Sequence, residues 1–461
     1  MMKKTLHYAL LIVSAAGYGI AYCLPIYCWW SITIFLVPLF YVILRDQVTV
    51  LDGLIWSVIA LGMQLSGVLE GLFYLAQGPV WLRLAPALLV LALAVTYGFI
   101  WFLSTRIICR MIDKPKIHVV VWWITTTLFF VWMEHRCIFL LGVPEGYLLF
   151  SPLIPLVQKP CLLFFITKIG PILFLFFFIG LQACCALALF QGMLWWRIYA
   201  AMLFVWLSGA VWWYYQQPVP PSYAEIVAGK AFFPATNNIR HNARVLRDYM
   251  KKLLETYPQA QIIFFPETAL RCPFMCGEPQ IMSLLNPDEL KKSVTIMAGG
   301  FRWDNDLYRN TVYWIDGGKV VDLFDKRHAM ALTERLPAHS QIGNNALIKK
   351  TYFETFVGIT AAPYPRPIWR ISPDFAIIPY ICSEIFFNNR IDHDPAYHEH
   401  KNVVLVAFCN DLWIARDYMK YQMLMGARYR ALFWRIPIFY IAFGYRGLCM
   451  PNGSLYPVQG F

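Results

Sequence analysis

A chain of 461 residues would ordinarily hold about three domains of ~150 residues, but 59% hydrophobic, 17% aromatic and 14% charged residues are too apolar for a chain soluble along its whole length. Residues 1–215 carry 12 Lys/Arg and 6 Asp/Glu, and the rest carries 27 and 21, which predicts a membrane half followed by a water-soluble half. Disorder, coiled coil and a small disulfide scaffold are excluded, and a net charge of +12 spread evenly over both halves makes no basic patch for nucleic acid.

Crossing ~30 Å of hydrocarbon takes about 20 apolar residues as a helix. Seven stretches qualify, near 6–23, 25–44, 54–76, 84–104, 118–140, 165–194 and 197–215. The first is expected to stay as a span, because no small-residue cleavage site follows Cys23 and the next apolar run begins at Leu24. Lys3 and Lys4 precede the first span, and Arg106, Arg110, Lys114 and Lys116 lie between the fourth and fifth. The positive-inside rule places both on the cytoplasmic side, and an odd number of spans then delivers residue 216 outside. Pro218, Pro220 and Pro221 form a stiff linker, so the expected domains are 1–217 and 218–461. Between the fifth and sixth spans, Glu134-His135-Arg136 is followed by Gly142-Val143-Pro144. A charge pair at membrane depth is costly unless paired or facing water, so it is either a functional spot or an interfacial pair that orients the loop.

In the second half, Leu246, Met250, Leu253 and Tyr257 recur at the spacing of one helix face. Ile262-Ile263-Phe264-Phe265 reads as a strand ending in Pro266-Glu267. Further strands are expected at Val294–Gly299, Thr311–Ile315, Ala376–Tyr380, Val403–Phe408 and Ile436–Phe443, with a helix over 416–434. Strands alternating with helices and long connections predict an α/β layered domain around a buried sheet.

Three residues stand where such strands end: Glu267, Lys326 and Cys382, at intervals of 59 and 56 residues. A thiol attacks a carbonyl as thiolate and needs a base, and a carboxylate just past a buried strand suits that task. A lysine supplies positive charge for the oxyanion. Together they make an acyl-transfer set that calls for no cofactor and no metal, although a Cys after a strand is also a common inert core residue.

The surrounding segments carry further information. Pro266-Glu267-Thr268-Ala269-Leu270, Asp325-Lys326-Arg327-His328 with Glu334 eight residues after the lysine, Ile381-Cys382-Ser383-Glu384, Asn410-Asp411-Leu412-Trp413 and Arg428-Tyr429-Arg430-Ala431-Leu432 occur in the order seen in the nitrilase superfamily. With seven spans in front, the chain resembles the apolipoprotein N-acyltransferase family over roughly residues 6–455, and five ordered motifs are more specific than any one alone. The resemblance implies a nitrilase-like αββα sandwich on a multi-span α-helical membrane domain in a bacterial inner membrane, with the catalytic domain periplasmic. It implies that Cys382 takes an acyl chain from a phospholipid as a thioester and passes it to the N-terminal amine of a lipoprotein. Glu267 would be the base, Lys326 the oxyanion donor, and Glu334 and Glu384 their supports. Trp413, Phe386 and Phe387 are candidates to line the acyl pocket.

The sequence departs from that family at Ser383, where the acyltransferases carry Tyr, at Arg335-Leu336-Pro337-Ala338, and around Phe443-Gly444-Tyr445-Arg446. A branch found among plasmid conjugal-transfer proteins looks similar and diverges in these places, so a different acyl acceptor, or a catalytically silent assembly role, are the alternatives. Cys272 and Cys276 could pair as a disulfide or sit on a turn. His393, His398 and His400 among Asp392, Asp394 and Glu399 read as a polar loop more readily than as a metal tract. The apolar loops 329–338, 352–369 and 386–390, with Met330, Leu332, Leu336, Phe353, Phe356, Tyr364, Trp369, Phe386 and Phe387, are expected either to form a lipid-facing lid or to pack on the sheet.

Overall fold

The computed structural model describes residues 2–136, 151–215, 226–229, 239–275, 294–329, 334, 359–387 and 403–458, apart from 46–47, 76–79, 113, 305–306, 318, 363–365, 374, 413 and 415. Its residues form two compact units. One comprises the described residues up to 215 together with Ile414–Phe433, and the other the described residues of 219–413 and 434–461.

The first unit is helical: α1 (Met2–Cys23), α2 (Pro25–Cys28), α3 (Leu36–Arg45), α4 (Val50–Leu75), α5 (Val80–Arg110), α6 (Pro115–Arg136), α7 (Ile166–Gln191) and α8 (Met193–Tyr215). Among the described residues, seven segments are long and apolar enough to cross a membrane, and they coincide with the seven stretches expected from hydropathy. Leu173, Leu194 and Phe204 stand exposed on their outer faces, an apolar surface that lipid stabilises and water does not.

The second span is not one continuous helix. A 3₁₀ turn over Trp29–Thr33 separates α2 from α3 and would strand backbone groups inside the bundle. Gln182 of α7 meets that need: its Oε1 accepts the Leu36 N–H at 2.9 Å and its Nε2 donates to Ile32 O at 3.4 Å. The start of α4 is fixed by Thr49-Val50-Leu51-Asp52, a reciprocal cap in which Asp52 Oδ2 accepts the Thr49 N–H at 2.6 Å and Thr49 Oγ1 accepts the Asp52 N–H at 3.2 Å.

One helix from the later part of the sequence, α9 (Ile239–Thr256), belongs to the second unit, whereas α10 (Asp417–Trp434) belongs almost entirely to the first. Gln422 of α10 donates to Tyr22 O at 2.8 Å, Gln158 donates to the Tyr421 hydroxyl at 2.8 Å, and Arg416, just ahead of the helix, meets Glu70 at 2.5 Å. A Cβ on Gly67 of α4 would stand 2.9 Å from the Met419 Cβ, so this crossing requires the missing side chain.

The second unit is an α/β sandwich of two mixed sheets. The first sheet has the order β1 (Ile226–Ala228), β2 (Ile262–Met275), β3 (Thr295–Asp304), β4 (Leu307–Asp316), β5 (Lys319–Asp325). Strands β1, β2 and β3 run parallel, and β4 and β5 continue antiparallel. The second sheet contains β6 (Trp369–Ser372), β7 (Phe375–Ile381), β8 (Val403–Phe408), β9 (Ile438–Ile441), β10 (Arg446–Cys449) and β11 (Leu455–Tyr456), in the order β11-β10-β9-β8-β7-β6 with β7, β8 and β9 parallel. The central parallel strands are nearly continuous apolar runs, as strands covered on both faces must be. Phe264 of β2 packs between the sheets against Phe408 and Phe439, and α9 covers the outer face of the first sheet with Met250 and Leu253. The strands expected at Val294–Gly299, Thr311–Ile315, Ala376–Tyr380 and Val403–Phe408 are β3, β4, β7 and β8. The expected strand Ile436–Phe443 shortens to β9.

Candidate active site

In an α/β sheet, reactive groups gather at the carboxyl ends of parallel strands. Glu267 lies in β2 where its pairing with β3 slips register between Phe265 and Leu270. The next residue, Thr268, has φ 61°, a left-handed conformation that a β-branched residue holds only when its surroundings impose it. The Asn410 side-chain amide donates to Thr268 Oγ1 at 3.0 Å and helps to impose it. Gly299 of β3 supplies the room, because a Cβ there would stand 2.5 Å from the Glu267 Cα.

Lys326 directly follows β5. Its N–H donates to Asn310 O at 2.8 Å, and its carbonyl accepts the Ala362 N–H at 2.9 Å. The preceding Asp325 is braced by Arg302, through Nε at 2.9 Å and Nη2 at 2.5 Å, and by the Thr311 hydroxyl at 2.7 Å. Cys382 directly follows β7, with φ 50°. That turn is held by Glu384, whose Oε2 accepts the Ile381 N–H at 2.9 Å and whose Oε1 accepts the Arg327 and His328 N–H groups at 2.7 and 3.2 Å. One carboxylate therefore ties the nucleophile turn to the lysine loop. Arg366 balances it, with Nη2 at 3.2 Å from Glu384 Oε2 and its guanidinium 3.5 Å over the Tyr380 ring.

These elements bring Glu267, Lys326, Cys382, Glu334 and Glu384 into one buried cluster. Lys326 Nζ lies 3.5 Å from Glu267 Oε1 and 2.5 Å from Glu334 Oε1. Glu267 Oε1 also accepts from Asn310 Nδ2 at 2.5 Å, its Oε2 accepts the Asn410 N–H at 2.8 Å, and the Cys382 thiol interacts with the same carboxylate. Burial pushes the Glu267 carboxyl above its ordinary range; Lys326 opposes this, Glu334 adds to it, and Asn310 and Cys382 draw it back only in part. Burial works against the Lys326 charge, but Glu334, Glu267 and Cys382 outweigh it and hold the ammonium well above its ordinary pKa. The result is a carboxylate able to take a thiol proton beside a lysine that stays charged.

Phe386 and Phe387 are fully buried just past the nucleophile turn, and the Phe387 ring lies 5.9 Å from that of His328. Trp369 is buried in β6, where its indole N–H donates to Asp322 at 2.8 Å. These three expected lid residues therefore pack in the interior, since burying a large ring is worth more than exposing it where a sheet face is at hand. Trp413, Met330, Leu332, Leu336, Phe353, Phe356, Tyr364, Cys276, the side chains of Cys272 and Arg136, and the His393, His398 and His400 tract lie outside the described residues. Glu134 is buried within the first unit.

Sequence reasoning missed Asn310, Arg366 and the Arg302–Asp325–Thr311 brace. Nothing local marks Asn310, which faces Glu267 only because β4 lies next to β3. Asp325 had a signal, being a buried-type acid adjacent to the candidate lysine.

No protein-family model and no curated protein matches the chain. Among solved structures, a carbon-nitrogen hydrolase from Helicobacter pylori G27 is 11% identical over 51% of this chain and 87% of its own, with a TM-score of 0.36. Saccharomyces cerevisiae Nit3, described as a member of branch 10 of the nitrilase superfamily, is 11% identical over 50% of this chain and 84% of its own, with a TM-score of 0.35. A glutamine-dependent NAD+ synthetase from Acinetobacter baumannii is 14% identical over 50% of this chain and 42% of its own, with a TM-score of 0.33.

Proposed function

We propose that the protein is a membrane-bound acyltransferase of the nitrilase superfamily, in which Cys382 takes an acyl chain from a phospholipid and passes it to the N-terminal amine of a lipoprotein. The observation that carries this reading is the convergence of the Cys382 thiol and the Lys326 ammonium on the Glu267 carboxylate. Glu267 accepts the thiol proton as sulfur adds to the ester carbonyl. The oxyanion forms beside Lys326, and the ester C–O bond breaks as Glu267 returns the proton to the departing lysophospholipid oxygen. The amine then adds to the thioester, gives its proton to Glu267, and expels the thiolate, which regains that proton. Glu334 and Asn310 hold Lys326 and Glu267 in register, and Glu384 holds the turn. Among the described residues, seven segments long and apolar enough to cross a membrane support a lipid donor, and the charge distribution around them supports a periplasmic catalytic unit in a bacterial inner membrane.

One observation favours a second reading in which the acyl acceptor is a different amine. Ser383, next to the nucleophile where the acyltransferases carry Tyr, is buried with a hydroxyl that makes no hydrogen bond among the described residues. Complementation of a strain depleted of its lipoprotein N-acyltransferase separates the two. Restored growth supports lipoprotein as acceptor, and failed growth by a protein that still acylates Cys382 from phospholipid points to another amine.

A further inference from the structure

The Cys382 site contains a second thiol that the acyl-transfer chemistry does not use. Strands β7 and β8 run parallel in the register Tyr380↔Ala407 and Ile381↔Phe408, and Cys382 and Cys409 are the residues that follow this last pair. The strands lie about 4.8 Å apart at that last pair, and a disulfide spans a Cα separation of roughly 4.4–6.8 Å. Cys409 is held in place, its N–H continuing the ladder to Ile441 O at 2.8 Å. Its Sγ donates to Cys382 O at 3.9 Å, which sets the two cysteines against each other. Cys409 is fully buried and Cys382 only slightly exposed, so an oxidant entering the pocket meets Cys382 first. Neither is engaged in a disulfide.

We propose that Cys382 and Cys409 form a redox-active dithiol, in which a peroxide oxidises the nucleophile and Cys409 captures it as a disulfide. The Cys382 thiolate attacks the peroxide O–O bond, forming the S–O bond of a sulfenic acid and releasing water or alcohol. The Cys409 sulfur then attacks the Cys382 sulfur, the S–O bond breaks, and the Cys409 proton leaves with the oxygen as water. Two thiols lose two electrons and two protons, and the peroxide takes both. Burial, with the Cys382 thiol, Glu267 and Asp411 nearby, pushes the Cys409 thiol well above its ordinary pKa. It therefore stays protonated and leaves Cys382 as the nucleophile until a sulfenic acid forms beside it. A disulfide is returned to thiols by a dithiol reductant, whereas an uncaptured sulfenic acid goes on to sulfinic acid, which is not. The site thus protects the free Cys382 thiol from irreversible loss, and this does not depend on which reaction Cys382 performs.

The test is a non-reducing peptide map of the full chain in detergent micelles after graded hydrogen peroxide, with remaining thiols blocked by iodoacetamide. The expected product joins the tryptic peptides 371–390 and 402–416, two hydrogens lighter than their sum, and dithiothreitol releases both. In Cys409→Ser, Cys382 is expected to gain two oxygens and to resist recovery by dithiothreitol. Wild-type protein in which Cys382 reaches the sulfinic acid while Cys409 still takes iodoacetamide on unfolding overturns the proposal, and that readout needs no variant to fold.

Discussion

Asn310 places its side-chain amide 2.5 Å from Glu267 Oε1, in a cluster where the same oxygen also faces the Lys326 ammonium. A donor on a buried carboxylate stabilises its charged form, so Asn310 keeps Glu267 usable as a base although burial favours the neutral acid. Asn310→Ala removes that donor. A hydrogen bond to a charged group is worth about 1.5–3 kcal/mol, equivalent to roughly one to two pH units. The pH profile of Cys382 acylation should move alkaline by that amount, and an unchanged profile with lower amplitude would assign Asn310 a packing role alone.

The raised pKa of Glu267 sets the sign of the pH dependence in the wild type. The base works only when deprotonated, so the rate of Cys382 acylation should climb with pH through a midpoint above the usual carboxylate range. Glu267→Gln keeps the shape but cannot take the proton. Stopped-time acylation between pH 4 and about 8 should show the climb in wild type and none in the variant.

Asp325 anchors the residue before Lys326, and Arg302 provides its bidentate partner within the sheet. Breaking a buried ion pair from one side costs about 3–5 kcal/mol. Arg309 at 3.9 Å and the Thr311 hydroxyl remain to shield Asp325, so Arg302→Leu should fall near the lower end of that range. Thermal unfolding in detergent reads it directly, and a shift indistinguishable from zero would mean the brace contributes no net stability.

The proposed orientation rests on the charge distribution. A phosphatase fused after Pro221 should be active and one fused near Lys114 inactive. The reverse pattern would place the catalytic unit on the cytoplasmic side and remove outer-leaflet phospholipid as its donor.

Much of the architecture is legible in the sequence because each layer has its own hydrophobic period. The seven spans show as apolar runs, and β3, β4, β7 and β8 as short apolar runs, with Cys382 at the end of β7. What the periods do not encode is the interruption at Trp29–Thr33, which exists because Gln182, distant in sequence, receives its stranded backbone groups. Nor do they encode the allegiance of α10, whose partners Tyr22, Glu70 and Gln158 precede it by hundreds of residues. Strand β5 is legible only at its end, ahead of Lys326, because Lys319, Val320, Val321 and Asp322 are all exposed and its outer half has no alternation to read. In the site, the charged residues were legible as motifs, but Asn310 and Arg366 act through strand adjacency and ring stacking, which no spacing along one chain reveals.

The central claim is that Cys382 carries the acyl group, and mass spectrometry of the purified protein after incubation with phospholipid tests it most directly. The account predicts one acyl mass on the peptide spanning residues 371–390, released by neutral hydroxylamine and absent in Cys382→Ala. An acyl adduct that persists in Cys382→Ala, or one that resists hydroxylamine, would contradict it.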